Sequence, residues 1–254
     1  ALSVFVFALL VAAGLFGNQG DWDRNILPVA VWVVWWVGMA FACALAGNLW
    51  ALVNPWAVIG RLLFARPRLR MPERVGVWPA ALLFLVFAWV ELVWPSNAVP
   101  ARLACAILLY SLLTFACMAL FGVEEWLRRG EVFSLLFGLF ARFAPLTAKR
   151  DEAGRPFLVL RPYGAGLAES APPSLSMTAL VVAVLATVSF DGFSETPAWA
   201  RLSGAGMGIL YQAGVVGAVG YVAAQSLVKT LGLLAAPLVV ACVYLAACHA
   251  ASRL

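Results

Sequence analysis

Asp191 and Glu195 follow directly on an apolar run that ends at Phe190, in the stretch ATVSFDGFSETPAWA. Two carboxylates at the mouth of an apolar helix can hold a metal ion, serve as a general base or bind a cationic group. They can equally mark the place where a chain meets water. A third acid, Glu91 in FAWVELVWP, lies about one helical turn before Trp94-Pro95. An acid within a membrane span is costly, and by default it is a functional candidate. Asp191 at a helix C-terminus faces the negative end of the dipole, so it calls for a partner. Thr196-Pro197 reads as an N-cap and first helical residue, and Arg201 follows on that turn. Asp21, Asp23 and Arg24 fall in one expected loop, Arg102 opens an apolar run, and the single histidine, His249, ends the last one. The catalytic candidates are therefore Glu91, Asp191, Glu195 and His249, with Arg102 and Arg201 as ligand-binding candidates. One histidine is thin for a catalytic zinc, which takes several nitrogen or sulfur ligands, so no metal or cofactor is assigned. No GxSxG, HExxH, P-loop or GxGxxG pattern is present.

The elements that must position these residues are membrane helices. The chain is 64% hydrophobic and 11% charged, against roughly 25% charged in soluble domains. That leaves too little polar surface to cover a water-soluble globule. Eleven Trp and 16 Phe suit an interfacial aromatic belt. The five cysteines lie in apolar runs without CxxC spacing and read as small buried hydrophobes.

Runs near the 20 or so residues that a spanning helix needs occur at 1–17, 26–47, 75–94, 99–122, 174–190, 204–227 and 231–250. The expected fold is an all-α integral membrane protein of about seven spans, with one or two interfacial amphipathic helices and a small cytoplasmic β-hairpin loop. Residues 1–17 read as a span whose beginning lies outside the chain. With 48–74 placed inside, every Lys and Arg except Arg24, Arg102, Arg201 and Arg253 falls on the cytoplasmic side. The net charge of +5 is thus topology, with scope for anionic-lipid contact and none for nucleic acid. The expected location is a bacterial inner membrane.

Several pieces do not span. Asn54-Pro55 reads as a helix cap, opening a short interfacial helix to about Phe64. In VEEWLRRGEVFSLLFGLFARFAPL, Glu124/Arg128 and Glu125/Arg129 are i,i+4 pairs, and Gly130 weakens the helix. Phe133, Phe137, Phe140 and Phe143 then share one face, which predicts a helix over 132–146 on the cytoplasmic interface; a re-entrant segment is the alternative. Residues 147–173 predict a cytoplasmic loop with a hairpin in GRPFLVLRPYGAG. Residues 204–227 carry small-xxx-small pairs such as Gly204/Gly208. These suit close helix packing, within the chain, in a homo-oligomer or against other membrane subunits.

The stretches GNLWALVNPWAVI, FAWVELVWP, FGVEEWLRRGEVFSLLFGLFARFAPL and LATVSFDGFSETPAW, in that order over most of the chain, resemble the bacterial polytopic membrane proteins commonly labelled fenitrothion hydrolase. The resemblance implies a piece of a longer chain with organophosphate-ester hydrolase activity. Three functions stay open: a membrane-bound phosphotriester hydrolase using Glu91, Asp191, Glu195 and His249, a transporter or ligand-binding protein using the same groups, and a structural subunit of a larger complex.

Overall fold

The computed structural model of the chain describes residues 2–20, 24–64, 66–151, 154–168 and 173–253. Among them, five helices are long and apolar enough to cross a membrane: Ile26–Ala46, Glu73–Leu92, Pro100–Phe121, Leu175–Ser194 and Tyr221–Ala251. Leu2–Phe16 is apolar but shorter. The chain is thus an all-α, multi-pass membrane-type protein with one two-stranded hairpin.

Residues 1–80 and 96–174 form one compact unit, and 81–95 with 175–254 form a second. The first unit opens with α1 (Leu2–Phe16). Next comes a continuous helix of α2 (Ile26–Val29), a π-helical stretch (Ala30–Gly38) and α3 (Met39–Ala46). Asn25 caps α2, accepting from the Leu27 amide at 3.1 Å, and its own amide donates to the carbonyls of Ala13 and Asn18. Two short helices, α4 (Trp50–Val53) and α5 (Pro55–Leu63), follow. Asn54 joins them as the expected cap: its Oδ1 accepts from the Ala57 amide at 3.1 Å, with Pro55 at the first helical position. Helix α6 (Trp78–Leu92) starts in this unit and ends in the second.

Helix α7 (Pro100–Phe121) is the mast of the first unit. Gly122, at φ 90°, turns the chain back so that α8 (Val123–Arg129) folds against α7. Gly130 caps α8, and only glycine fits there because the Trp126 ring lies where a Cβ would be. Helix α9 (Val132–Phe140) leads to strands β1 (Leu146–Arg150) and β2 (Pro156–Leu160), paired antiparallel with Leu146 opposite Leu160. The expected hairpin is thus present. A one-turn helix, α10 (Ala165–Ala168), follows the hairpin in the chain.

The Phe-striped segment differs from the interfacial helix expected over 132–146. Phe133 and Phe137 are buried in the unit, against Trp35, Trp50, Trp56 and Tyr110. An apolar stripe at helical spacing serves a protein core as well as a lipid surface, and here the core takes it.

The second unit holds the last turns of α6 with α11 (Leu175–Ser194), α12 (Pro197–Gln212), α13 (Val215–Val219) and α14 (Tyr221–Ala251). Ala88, Val93, Phe190 and Leu233 form its core, with Trp89 and Trp199 against it. Thr196 caps α12 as expected, accepting from the Trp199 amide. The expected spans 204–227 and 231–250 are divided otherwise. Gly214 (φ 75°) and Gly220 (φ 84°) break the chain, and α14 then runs unbroken through Lys229. One charge at position 229 reads as a loop in a hydropathy pattern, but Val228, Lys229 and Thr230 contain nothing that stops a helix.

Candidate functional site

In unit 1, α2–α3 and α7 begin at the same end. There the Ala101 amide donates to Gln19 Oε1 at 3.0 Å, and Trp32 Nε1 donates to the Asn97 carbonyl at 3.0 Å. Both run to the opposite end, where the Arg68 and Leu69 amides meet the Leu120 carbonyl. Two broken helices enter from that far end. Trp56, the second residue of α5, donates from Nε1 to Ser111 Oγ at 2.8 Å, half-way along α7. Four residues on, Gly60 lies against Met118, and Arg61 pairs with Glu124 at 2.8 Å. Helix α5 therefore starts at mid-length of α7 and runs out beside its second half. Helix α8 folds back from Gly122, and α9 leads out again to β1, whose Leu146 carbonyl lies by Gly47. Each pair is a helical hairpin with its bend at mid-length of α7.

The two bends meet. Asn54 is the N-cap of α5, and Glu131 is the N-cap of α9. Glu131 is fully buried. Its Oε1 accepts from the Tyr110 hydroxyl at 2.6 Å and the Phe133 amide at 3.1 Å. Its Oε2 accepts from the Ser134 amide at 2.7 Å and Asn54 Nδ2 at 3.4 Å. Asn54 Nδ2 also donates to Ser134 Oγ at 3.1 Å. A carboxylate has acceptor capacity for all four donors, whereas a carboxylic acid must use one oxygen as a donor. The N-termini of α5 and α9 add favourable dipole ends. Burying a charge is tolerable only with such partners.

Aromatic rings enclose the network. Tyr110 lies 5.1 Å from Trp56 and 5.4 Å from Phe133 between ring centroids. Trp35, from the π-helical stretch, lies 4.5 Å from Phe133. Extended π-turns are rare and recur at functional sites. Trp50 Nε1, in the same ring cluster, is buried without a hydrogen-bond partner among the described residues. The ring cluster thus shelters the irregular backbone of the two bends from the surface of the unit. Sequence reasoning missed Glu131. Its signal was the one that singled out Glu91: an acid bordering an apolar run, here VFSLLFGLF.

The sequence-derived candidates lie elsewhere. Glu91 is half-buried in the last turn of α6. Asp191 and Glu195 are exposed at the end of α11, and neither forms an ion pair among the described residues. Glu195 Oε1 meets the Ser194 hydroxyl at 3.5 Å. Arg201 is exposed on α12. Arg102 belongs to unit 1, where its guanidinium donates to Ser96 Oγ. Asp21 and Asp23 lie outside the described residues.

The expected clustering of His249 with the acids is not what the helices produce. Lys229 lines a cleft with Trp94 and Pro95, Trp89 Nε1 donates to Thr230 Oγ1 at 2.9 Å, and Leu233 packs on Ala88. Helix α14 therefore runs antiparallel to α6. His249 lies about 28 Å along the axis from Thr230, at the end away from Glu91. Among the described residues no three His, Cys, Asp or Glu side chains converge as a metal set. The chain matches no protein-family model, no curated protein and no solved structure.

Proposed function

We propose that this is a multi-pass inner-membrane protein of the transporter class, in which Glu131 binds and releases a proton and the Tyr110 hydroxyl supports its carboxylate form. The observation that carries the reading is the fully buried Glu131 carboxylate where two half-helix N-termini meet, half-way along α7. Ionisable groups at membrane depth belong by default to ion or proton pathways. Transport sites are built at broken helices near the midplane, with dipole ends facing the charge. The Tyr110 hydroxyl keeps its own proton and donates to Glu131 Oε1 over 2.6 Å, so it is the group that answers a change of charge on Glu131. Protonation turns one Glu131 oxygen from acceptor to donor, which loosens the bend that it caps. The end that carries Arg61, Arg66, Arg68, Arg70 and Arg74 faces the cytoplasm in this reading.

The hydrolase reading rests on the motif resemblance and on the outer acids Glu91, Asp191 and Glu195; it asks for a partner other than His249.

Infrared difference spectra of the purified protein across a pH titration test the proposal. Glu131→Gln keeps an acceptor for the cap but takes up no proton. We expect a carboxylic-acid band in the wild type that Glu131→Gln abolishes and Tyr110→Phe shifts, together with loss of dye-reported proton flux in vesicles. The same band in Glu131→Gln would overturn the assignment.

A further inference from the structure

Unit 2 holds a second polar site, remote in sequence from Glu131. Gly206 of α12 lies against Val228 of α14, where a Cβ would come within 3.2 Å of Val228 Cγ1. Beside this crossing, at the α11–α12 turn, a cleft of about 460 Å³ opens. Glu195, Trp199, Ser203, Tyr221, Gln225 and Lys229 line it. Glu195 and Lys229 carry opposite charges, yet the described residues form no ion pair between them or with either. Each charge thus faces the cleft with its counter-charge held apart. Lys229 stands in a 31-residue apolar helix, where an ammonium needs an anion or water. Trp199 and Tyr221 are amphipathic aromatics of the kind that sit at the headgroup level of a bilayer. Leu202 and Ile209 of α12 and Val222 of α14 are exposed apolar groups on the two helices that frame the cleft.

We infer that this cleft binds a phosphoethanolamine zwitterion, with its phosphate on Lys229 and its ammonium on Glu195. Phosphate needs a cation and hydrogen-bond donors, which Lys229, Gln225 and Ser203 supply. The ammonium carries three donors of its own, for which the Glu195 carboxylate is the acceptor, with the faces of Trp199 and Tyr221 beside it. Two fixed charges of opposite sign discriminate against singly charged ligands, because either one alone leaves a charge of the cleft unmatched. The same phosphodiester zwitterion is presented by phosphatidylethanolamine in the bilayer and by soluble glycerophosphoethanolamine; free phosphoethanolamine, a monoester, carries extra negative charge near pH 7.

Native mass spectrometry of the purified protein with added lipids tests this. Phosphatidylethanolamine adducts are expected to outnumber phosphatidylglycerol adducts at equal lipid concentration. Glu195→Gln should weaken the phosphatidylethanolamine adduct about tenfold, as loss of one charge-assisted hydrogen bond implies, and leave phosphatidylglycerol unaffected. Lys229→Gln should weaken both. Circular dichroism melting of the two variants confirms that they are folded. Competition by soluble glycerophosphoethanolamine would identify the free headgroup as sufficient, and its failure to compete would identify the lipid-borne one. An unchanged preference in Glu195→Gln, or a wild-type preference for phosphatidylglycerol, would overturn the inference.

Discussion

Glu131 spends two oxygens on four donors, and the loss of either side of that arrangement has a different cost. Tyr110→Phe removes one donor and keeps the ring packing against Trp56 and Phe133. A hydrogen bond to a charged group contributes about 1.5–3 kcal/mol, so unfolding in detergent should show a loss of that order. Glu131→Ala removes the acceptor instead. It orphans the amides of Phe133 and Ser134 and one contact of Asn54. Each buried unsatisfied donor costs about 1–3 kcal/mol, so Glu131→Ala should destabilise clearly more than Tyr110→Phe. Equal losses would mean that the network contributes no more than one bond. This site was poorly legible in the sequence because Glu131 is embedded among Glu124, Glu125, Arg128 and Arg129. A charge at a boundary looks like a solvated charge until something shows that the boundary is buried. Glu91 drew attention because its neighbours are uniformly apolar. Asn54 was read as a cap, which is what it is, but a cap carries no sign of what faces it across the fold.

At the scale of elements, the signals that held were those of local chemistry. Asn54-Pro55 and Thr196-Pro197 start helices because the side-chain oxygen and the fixed proline φ act within one turn. The Gly and Pro punctuation around GRPFLVLRP closes a hairpin, and Asp151 secures its turn by pairing with Arg155 at 2.9 Å. The signals that failed depend on what packs where. A Phe stripe does not say whether lipid or Trp35 will cover it, and a lone Lys229 does not say whether a helix stops. Close packing is likewise readable only once the partner is known. Gly14 of α1 is such a place: a Cβ there would lie 2.9 Å from the Ala104 Cβ and 3.2 Å from the Pro100 carbonyl oxygen on α7. Neither neighbour is a flexible side-chain end, so α1 must move away from α7. Gly14→Ala should therefore destabilise by about 1–3 kcal/mol, the usual range for overpacking. Gly204→Ala, whose Cβ would meet nothing, is the control. A neutral Gly14→Ala in detergent unfolding would mean that the α1–α7 seam is looser than the structure has it.

For the whole molecule, the open question is which ends of the helices share a side of the membrane, and α14 decides it. Read as two spans with a turn at 228–230, the segment returns His249 to the side of Glu195 and puts Lys229 opposite. Read as one helix antiparallel to α6, it puts Lys229 beside Glu195 and carries His249 and Arg253 across. The stretch 230–251 rises about 33 Å, enough for one crossing. Charge counting cannot separate the two, because Lys229 and Arg253 exchange sides and the Lys/Arg bias is unchanged. Geometry can. Single cysteines at 68, 195, 229 and 249, in a background with the five native cysteines replaced, would be probed with an impermeant maleimide on intact cells. The continuous helix predicts labelling at 195 and 229 and protection at 68 and 249. The two-span arrangement predicts labelling at 195 and 249 and protection at 229. Position 249 therefore separates them without reference to activity. Labelling there would return His249 to the side of Glu195 and reopen it as a partner for a hydrolytic site. Protection there leaves Glu195 without an imidazole and keeps Lys229 opposite it in the cleft.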